Sequence, residues 1–253
     1  MTNVVLITGA SSGFGEACAR KFASSGCKMI LVSRNIDKLN QLAAELRDQC
    51  TIHVAQLDVT DAAAIEGFFN ELPKEFQAID VLVNNAGLAL GLEPAQEASL
   101  EDWETMVDTN IKGLMRMTRF ALPGMVQRNH GHIINISSTA GRWPYPGGNA
   151  YGATKAFVQQ FSRNLRADLL GKHIRVTDIS PGMAETNFSN VRMKGNDAQA
   201  DKVYENTKPM SAEDIAEIIF WVTTVPSHVN VNALEVMPTC QAWGKFAISR
   251  DML

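Results

Sequence analysis

Two side chains that could transfer a proton stand four positions apart in the sequence. Tyr151 and Lys155 fall in a stretch of helical periodicity, so their side chains share one face of a helix. A tyrosine hydroxyl has an unperturbed pKa of about 10, and an ammonium about 4 Å away favours the phenolate. We therefore expect Lys155 to lower the pKa of Tyr151, which could then exchange a proton with a substrate alkoxide. The alternative is a surface pair, because Tyr-x-x-x-Lys also arises by chance.

A serine at the end of a predicted strand adds a third group. The strand His132–Ser137 runs into Ser138, shortly before Tyr151 in the chain. Ligands in open α/β sheets bind at the carboxyl ends of the strands, so Ser138 and Tyr151 can meet over one substrate oxygen. The Ser138 hydroxyl would hold that oxygen by a hydrogen bond that strengthens as negative charge develops.

A glycine-rich turn links the first predicted strand to the first predicted helix. It reads Thr8-Gly9-Ala10-Ser11-Ser12-Gly13-Phe14-Gly15. Glycine lets a phosphate approach the N-terminus of a helix, where free N–H groups and the helix dipole favour a pyrophosphate. The turn is not a P-loop, and its spacing differs from G-x-G-x-x-G. A purely steric turn is the alternative, but its place after the first strand favours a nucleotide.

The end of the second predicted strand bears on the choice between NAD and NADP. A carboxylate there would bind the ribose 2′-hydroxyl of NAD, whereas an arginine accommodates the 2′-phosphate of NADP. The strand ends Ser33-Arg34-Asn35, and the nearest carboxylate, Asp37, falls in the first turn of the next helix. We therefore predict that Arg34 selects NADP; the alternative is that Arg34 is a solvated surface charge.

Short apolar runs alternate with longer helical patterns along the whole chain. The predicted strands are Val4–Thr8, Met29–Ser33, Ile52–Leu57, Val81–Asn84, His132–Ser137, Arg175–Ile179 and Leu234–Met237. The predicted helices are Gly15–Ser25, Asp37–Asp48, Ala62–Leu72, Leu100–Asn129, Ala150–Gly171 and Ala212–Thr224. This alternation predicts an α/β fold: a Rossmann-type, doubly wound parallel sheet of about seven strands with helices on both faces.

The chain is predicted to form one domain over residues 1–253. An insertion at about 183–210 is long and polar, as substrate lids often are. A tail at about 240–253 is too apolar for a solvated segment. It folds back on its own core or, as we expect, packs on a neighbouring subunit.

Composition restricts the partners and the compartment. With 23 Lys+Arg against 27 Asp+Glu and no basic run, the chain is a poor binder of nucleic acid or anionic membranes. The four cysteines are scattered, so we expect reduced thiols and neither a disulfide framework nor a metal site. No apolar stretch reaches the ~20 residues of a membrane span, and no basic leader precedes the first strand. We therefore expect a cytoplasmic protein.

These motifs together resemble the short-chain dehydrogenase/reductase family. The resemblance rests on the Thr8–Gly15 turn, Asn84-Asn85-Ala86-Gly87, Asn110, Ser138, Tyr151, Lys155 and Pro181-Gly182. It implies a nicotinamide cofactor at the carboxyl edge of the sheet and a homotetramer. It also implies roles for the residues: Tyr151 as general acid/base, Lys155 as its electrostatic partner and ribose ligand, Ser138 as carbonyl stabiliser, and Asn110 as the anchor of a water leading to Lys155. Asp58-Val59 would flank the adenine, and Pro181-Gly182 and Thr186 would border the nicotinamide.

Three further segments narrow the resemblance to one branch of that family. Residues 85–91, 143–149 and 188–192 are similar to NADP-dependent 3-hydroxy acid (serine/allo-threonine) dehydrogenases, whose relatives reduce malonic semialdehyde or sulfoacetaldehyde. Such substrates are small anions, and a planar guanidinium suits a carboxylate or a sulfonate. Arg192 is the predicted anchor, with Lys194 and Arg142 as weaker candidates; a solvent-facing lid charge is the alternative.

Other interpretations explain less of the sequence. Trp143 and Tyr145 could line a pocket, although aromatic residues beside proline turns are more often packing. A dinucleotide-binding sensor without catalysis would be expected to lose the serine, tyrosine or lysine, and this chain keeps all three. A nucleotide-binding methyltransferase would give no reason for the Tyr-Lys pair. We therefore expect an enzyme that acts on a short hydroxy acid or its semialdehyde.

Overall fold

Seven parallel strands form one sheet in the computed structural model, which describes residues 3–195 and 203–244. The strands are β1 (Val4–Thr8), β2 (Lys28–Ser33), β3 (Ile52–Gln56), β4 (Ile79–Asn84), β5 (Gly131–Ile136), β6 (Ile174–Pro181) and β7 (Ala233–Val236). Their order is β3-β2-β1-β4-β5-β6-β7. The predicted doubly wound sheet is confirmed. Its strand order reverses direction between β1 and β4, which places a crevice at their carboxyl ends.

The strands are apolar on both faces because helices cover both faces of the sheet. In β1 every residue is buried, with Val5 and Ile7 packed in one core and Val4 and Leu6 in the other. The first core lies against α1 (Gly13–Ala23), α2 (Ile36–Leu46) and α8 (Ala212–Thr224). The second lies against α3 (Ala62–Glu71), α5 (Leu114–Arg128) and α6 (Asn149–Asp168). This double burial explains the short, nearly continuous apolar runs of the sequence.

Four of the α-helices in the described ranges begin at a side-chain cap. Asn35, Asp61 and Ser99 accept a hydrogen bond from the first turns of α2, α3 and α4 (Leu100–Val107), and Ser211 forms a capping box at α8. The cap position of α1, Ser12, makes no such side-chain bond. The first N–H groups of α1 therefore remain available to a ligand.

The predicted helix Leu100–Asn129 is wrong as a single element. It consists of α4, a π-helical segment Asp108–Gly113, and α5. Two close contacts account for the wider turn. The buried Asn110 side chain bonds to the loop after β4, and Gly113 approaches Val59 so closely that a Cβ would lie 2.8 Å from Val59 Cγ2. A π segment adds one residue to a turn, and such segments occur often at functional sites.

The insertion after β6 contains a short helix, α7 (Phe188–Arg192), which the sequence left undefined. The two ends of the insertion meet in a β-bridge between Ala184 and Met210, and the Tyr204 hydroxyl donates to the Ala184 carbonyl at 3.0 Å. Residues 196–202 of the predicted lid and 245–253 of the predicted tail lie outside the described residues.

Two features are absent from residues 3–195 and 203–244. None of the helices there is long and apolar enough to span a membrane. Nor do three or more His, Cys, Asp or Glu side chains gather there in a cluster that could hold a metal ion.

Candidate active site

A cavity of about 650 Å³ follows the carboxyl edge of the sheet from the glycine-rich turn to Tyr151. Most of the predicted site residues line it: Gly9, Ser11, Ser12, Gly13, Phe14, Arg34, Asp58, Val59, Asn85, Ala86, Gly87, Ser138, Tyr151, Lys155, Pro181, Gly182 and Thr186. Five predicted residues do not line the cavity: Thr8, Gly15, Asn84 and Asn110 support it from behind, and Arg192 follows the lining residue Val191. The structure thus brings segments between Gly9 and Val191 together in one cleft.

Thr8 fixes the loop after β4 against the glycine-rich turn. Its hydroxyl oxygen accepts from the backbone N–H of Asn85 at 3.0 Å and of Ala86 at 2.9 Å. The Asn85 side chain returns the contact by donating to the Thr8 carbonyl at 2.9 Å. Gly15 closes the arrangement, because a Cβ there would overlap the Gly9 carbonyl. These contacts hold two sides of the cleft at a constant separation.

The glycine-rich turn fits a pyrophosphate. Gly9 and Gly13 have φ values of +65° and +53°, which glycine adopts without strain. Together with the uncapped start of α1 at Ser12, this backbone offers N–H donors and a helix dipole to an anion. A dinucleotide is therefore compatible with this end of the cavity.

The tip of β2 borders the same end of the cavity. Arg34, Asn35 and Asp37 line it, and the Arg34 side chain is exposed at its edge. Asp58 lies beside them and accepts from the Thr60 backbone N–H and hydroxyl, both at 2.8 Å. The guanidinium, with no acid at the strand tip, leaves room for a 2′-phosphate.

Tyr151, Lys155 and Ser138 meet at the other end of the cavity. Tyr151 and Lys155 are buried one turn apart on α6, and the Lys155 Nζ lies 5.7 Å from the centre of the Tyr151 ring. Lys155 Nζ donates to the Ile136 carbonyl at 2.9 Å. Ser138 Oγ donates to the Pro181 carbonyl at 3.4 Å and accepts from the Ala140 N–H at 3.1 Å, and the Ser138 hydroxyl acts to lower the pKa of Tyr151. A carbonyl oxygen placed here would face two hydroxyl groups.

The ionisation of this pair differs from the sequence-based expectation. Burial raises the pKa of Tyr151 to about 12, against the opposing effects of the Ser138 hydroxyl and the Arg192 charge. Burial also lowers the pKa of Lys155 to about 8, and the Asp178 carboxylate acts against that change. The prediction that Lys155 lowers the pKa of Tyr151 is therefore wrong in this structure. The ammonium is directed at the Ile136 carbonyl, and desolvation outweighs its attraction for the phenolate.

Asn110 joins the loop after β4 to α6. Its amide nitrogen donates to the Leu88 carbonyl at 2.8 Å and to the Thr154 hydroxyl at 3.1 Å, while its oxygen accepts from the Leu88 N–H at 2.9 Å. Asn84 makes a similar buried link, donating to Thr118 and Asn135. Both residues shape the cleft; the role of Asn110 as a water anchor stays a prediction.

Arg192 points toward Tyr151. Its guanidinium carbon lies 5.6 Å from the centre of the Tyr151 ring and 5.3 Å from that of Tyr145. It donates to the Tyr145 hydroxyl at 2.6 Å and to the Gly91 carbonyl at 3.3 Å. The guanidinium thus contacts two tyrosine rings, and its role as the anchor of the substrate's anion stays a prediction. The weaker candidates are engaged elsewhere, since Lys194 pairs with Asp102 at 2.7 Å and Arg142 with Glu235 at 3.5 Å.

Sequence reasoning missed several residues of the site. Leu88, Phe188 and Val191 line the cavity, and the Phe188 ring lies 5.6 Å from that of Tyr151. Tyr145, for which packing is the more common interpretation, accepts a hydrogen bond from the Arg192 guanidinium. Gln159 donates to the Ser138 carbonyl at 2.9 Å. A signal existed for Gln159, which stands one turn beyond Lys155 on the same helix face.

The chain is similar to known proteins over nearly its whole length. Residues 3–197 match the short chain dehydrogenase family. An NADP-dependent 3-hydroxy acid dehydrogenase, YdfG, of Escherichia coli K12 is 58% identical over 249 residues, which cover 98% of this chain and 100% of that protein. Sulfoacetaldehyde reductase 2 of Chromohalobacter salexigens is 54% identical over 252 residues, which cover 99% of this chain and 100% of the reductase.

Solved structures agree with this similarity. The closed form of a serine dehydrogenase complexed with NADP+ has a TM-score of 0.95 at 58% identity, covering 98% of this chain and 100% of that one. Serine dehydrogenase from Escherichia coli has a TM-score of 0.82 at 54% identity, covering 95% and 100%.

Proposed function

Because the chain belongs to the short chain dehydrogenase family, we propose that it is an NADP(H)-dependent oxidoreductase that interconverts a short hydroxy acid and its semialdehyde. The observation that carries the proposal is the meeting of Ser138, Tyr151 and Lys155 at one end of a cavity whose other end is the glycine-rich turn. A sensor without catalysis would not need that arrangement.

The residues around the cavity fit a dinucleotide. The Gly9–Gly13 backbone would hold its pyrophosphate, Arg34 its 2′-phosphate and Asp58-Val59 its adenine. Lys155 would hold the nicotinamide ribose, and Pro181-Gly182 and Thr186 would border the nicotinamide. When bound, the reduced cofactor supplies a hydride to the carbonyl carbon.

The chain's own residues manage the oxygen and its proton. Ser138 would donate a hydrogen bond to the carbonyl oxygen, and this bond strengthens as the oxygen becomes negative. Tyr151 would give its hydroxyl proton to that oxygen in reduction and take it back in oxidation. The high pKa of Tyr151 keeps the phenol protonated at neutral pH, as reduction requires.

We infer that Arg192 binds the anion of the substrate. Support comes from its place beside Tyr151 and from the geometric match between a guanidinium and a carboxylate or sulfonate. A 3-hydroxy acid of the L-serine type, with malonic semialdehyde as the oxidised partner, is the preferred substrate. Reduction of sulfoacetaldehyde to isethionate is the second candidate, because the same fork accepts a sulfonate.

NADPH consumption with a panel of aldehydes tests this function. The panel contains malonic semialdehyde, sulfoacetaldehyde, succinic semialdehyde and one uncharged aldehyde of similar size. We expect the highest kcat/KM with malonic semialdehyde, and a lower value when NADH replaces NADPH. A highest value with the uncharged aldehyde would contradict the anion site, and no turnover with any aldehyde would favour the sensor.

Removing the guanidinium tests the anion site directly. Arg192→Ala should raise KM for the anionic aldehyde about 10–100-fold, because a charge-assisted hydrogen bond is lost, and leave KM for NADPH unchanged. The matched control is Lys194→Ala, which removes a cation of the same segment that pairs with Asp102. An equal rise in both constants, or no rise, would place Arg192 outside the substrate site.

We further propose a cytoplasmic homotetramer. The free cysteines support a reducing compartment, and exposed apolar side chains on α5 and α8, including Phe120 and Trp221, support association. Light scattering should give about four times the 27.7 kDa mass of the chain. Deleting residues 245–253 should lower that mass if the tail packs on a neighbour; an intact tetramer would contradict the role of the tail.

A further inference from the structure

Tyr151 has a cation on each of two sides. The Lys155 Nζ lies 5.7 Å from the centre of its ring, and the guanidinium carbon of Arg192 lies 5.6 Å from the same point. A cation over an aromatic ring interacts with its electron-rich face, and the interaction grows when the ring carries a phenolate. The two cations therefore lie at nearly equal distances from the centre of the Tyr151 ring, whose hydroxyl must change its charge.

The two cations differ in what else they contact. Lys155 donates to the backbone carbonyl of Ile136, inside the helix-covered interior. Arg192 is partly exposed, and the Tyr145 hydroxyl and the Gly91 carbonyl accept from it. Neither acceptor is charged. The guanidinium can therefore pair with an incoming anion without first breaking an ion pair with Tyr145 or Gly91.

The other polar and charged groups near Tyr151 come from three further elements. Ser138, after β5, acts to lower the pKa of Tyr151, and Tyr145, in the following loop, acts to raise it. Asp178 on β6 acts on Lys155, and Arg142 acts on Asp178. Lys155 also lines the cavity, but its Nζ is directed at the Ile136 carbonyl, so among the described cations of this set we assign Arg192, which follows the cavity-lining Val191, to an anionic substrate.

We propose that Arg192 serves two partners in turn: it stabilises the phenolate of Tyr151 while the substrate site lacks an anion, and it pairs with the substrate's anion once a hydroxy acid is bound. Its positive charge acts to lower the pKa of Tyr151. A bound anion would cancel this effect, so an acidic substrate makes Tyr151 hold its proton more firmly than an uncharged one. Arg192 is then a positioning residue for proton transfer as well as a substrate ligand. The second partner rests on the proposed function; the first does not.

The pH dependence of alcohol oxidation tests the inference. Oxidation needs the Tyr151 phenolate, so kcat, which reports the enzyme–substrate complex, rises with pH through the pKa of Tyr151 in that complex. The probes are 3-hydroxypropanoate and its uncharged amide, 3-hydroxypropanamide, each with NADP+. In the wild-type enzyme we expect the rise to occur about one pH unit lower for the amide than for the acid, because only the acid neutralises Arg192.

The decisive comparison uses the uncharged amide with two variants. Arg192→Gln should move the rise about one pH unit upward, and Arg192→Lys, which keeps the charge, should restore it. Lys194→Gln is the control and should leave it in place. Coincident profiles for wild type and Arg192→Gln with the amide would overturn the inference, as would a profile for Arg192→Lys that matches Arg192→Gln.

These outcomes are separate from the test of the proposed function. If the amide is turned over as well as the acid, the anion site fails, yet the upward shift with Arg192→Gln still decides whether the guanidinium acts on Tyr151. Thermal melting of each variant shows that a shift does not reflect unfolding.

Discussion

At the residue scale, burial shifts the pKa values of both Tyr151 and Lys155. Burial disfavours the charged form of both Tyr151 and Lys155, which raises the pKa of the phenol and lowers that of the ammonium. The Ser138 hydroxyl opposes this effect at Tyr151, and the Asp178 carboxylate opposes it at Lys155. The result is a protonated phenol, ready to donate at neutral pH, beside a lysine that loses its charge at about pH 8.

Replacing the phenol should remove most of the activity. Tyr151→Phe keeps the ring and its contact with Phe188 but removes the transferable proton, so kcat should fall about 10²–10⁴-fold with NADPH affinity retained. Steady-state kinetics gives kcat, and fluorescence titration gives NADPH binding. Undiminished turnover would show that another group supplies the proton.

The choice of cofactor should depend on the arginine at the tip of β2. Arg34→Gln removes the guanidinium proposed for the 2′-phosphate, and KM for NADPH should rise about 10–100-fold while KM for NADH changes little. Arg47→Gln, an exposed arginine at the far end of α2 that pairs with Asp48, is the control. Equal changes for both cofactors would place the 2′-phosphate elsewhere.

At the element scale, much of this site could be predicted from the sequence. The strands are buried on both faces and therefore read as apolar runs, and a parallel sheet brings the residues that follow each strand to one edge. Two features could not be predicted this way. A period of 3.6 residues does not reveal the extra residue of the π segment at Asp108–Gly113. The contact between Tyr145 and Arg192 joins distant positions of irregular segments, whose packing follows no period.

Gly113 in the π segment and Gly124 in α5 form a matched pair of glycines. At Gly113 a Cβ would lie 2.8 Å from Val59 Cγ2, whereas at Gly124, within α5, it would meet the flexible end of Arg128. Gly113→Ala should lower the free energy of unfolding by about 1–3 kcal/mol through overpacking. Because Val59 lines the cavity, KM for NADPH should rise too.

Gly124→Ala is the control for that substitution. It should be neutral or stabilise by up to about 1 kcal/mol, because alanine favours a helix interior over glycine. Urea unfolding of both variants gives the comparison. Equal stability of the two variants would mean that the π segment can move away from Val59 without cost, which would contradict the close contact between Gly113 and Val59.

At the scale of the whole molecule, the sheet buries ionisable side chains whose pKa values differ between the folded and the unfolded protein. His132 on β5 is the clearest case. It is 2% exposed, its Nε2 lies 2.8 Å from the Thr177 hydroxyl, and burial with the nearby Arg175 lowers its pKa to about 3. In the unfolded chain its pKa returns to about 6.5. The native fold therefore holds this imidazole neutral where an unfolded chain would protonate it.

Acid should destabilise the protein through this histidine. Between about pH 6.5 and 3 the unfolded state binds one more proton than the folded state at His132, so stability is lost as pH falls, with a slope approaching about 1.4 kcal/mol per pH unit. Replacing the imidazole by an amide, His132→Asn, should flatten the pH dependence by this amount, even though the variant is less stable at pH 7. The control is His228→Asn, at an exposed position, which should keep the wild-type slope. Urea unfolding at pH values from 7 to 4 provides the slopes, and parallel curves for wild type and His132→Asn would show that His132 is not the group that couples folding to acid.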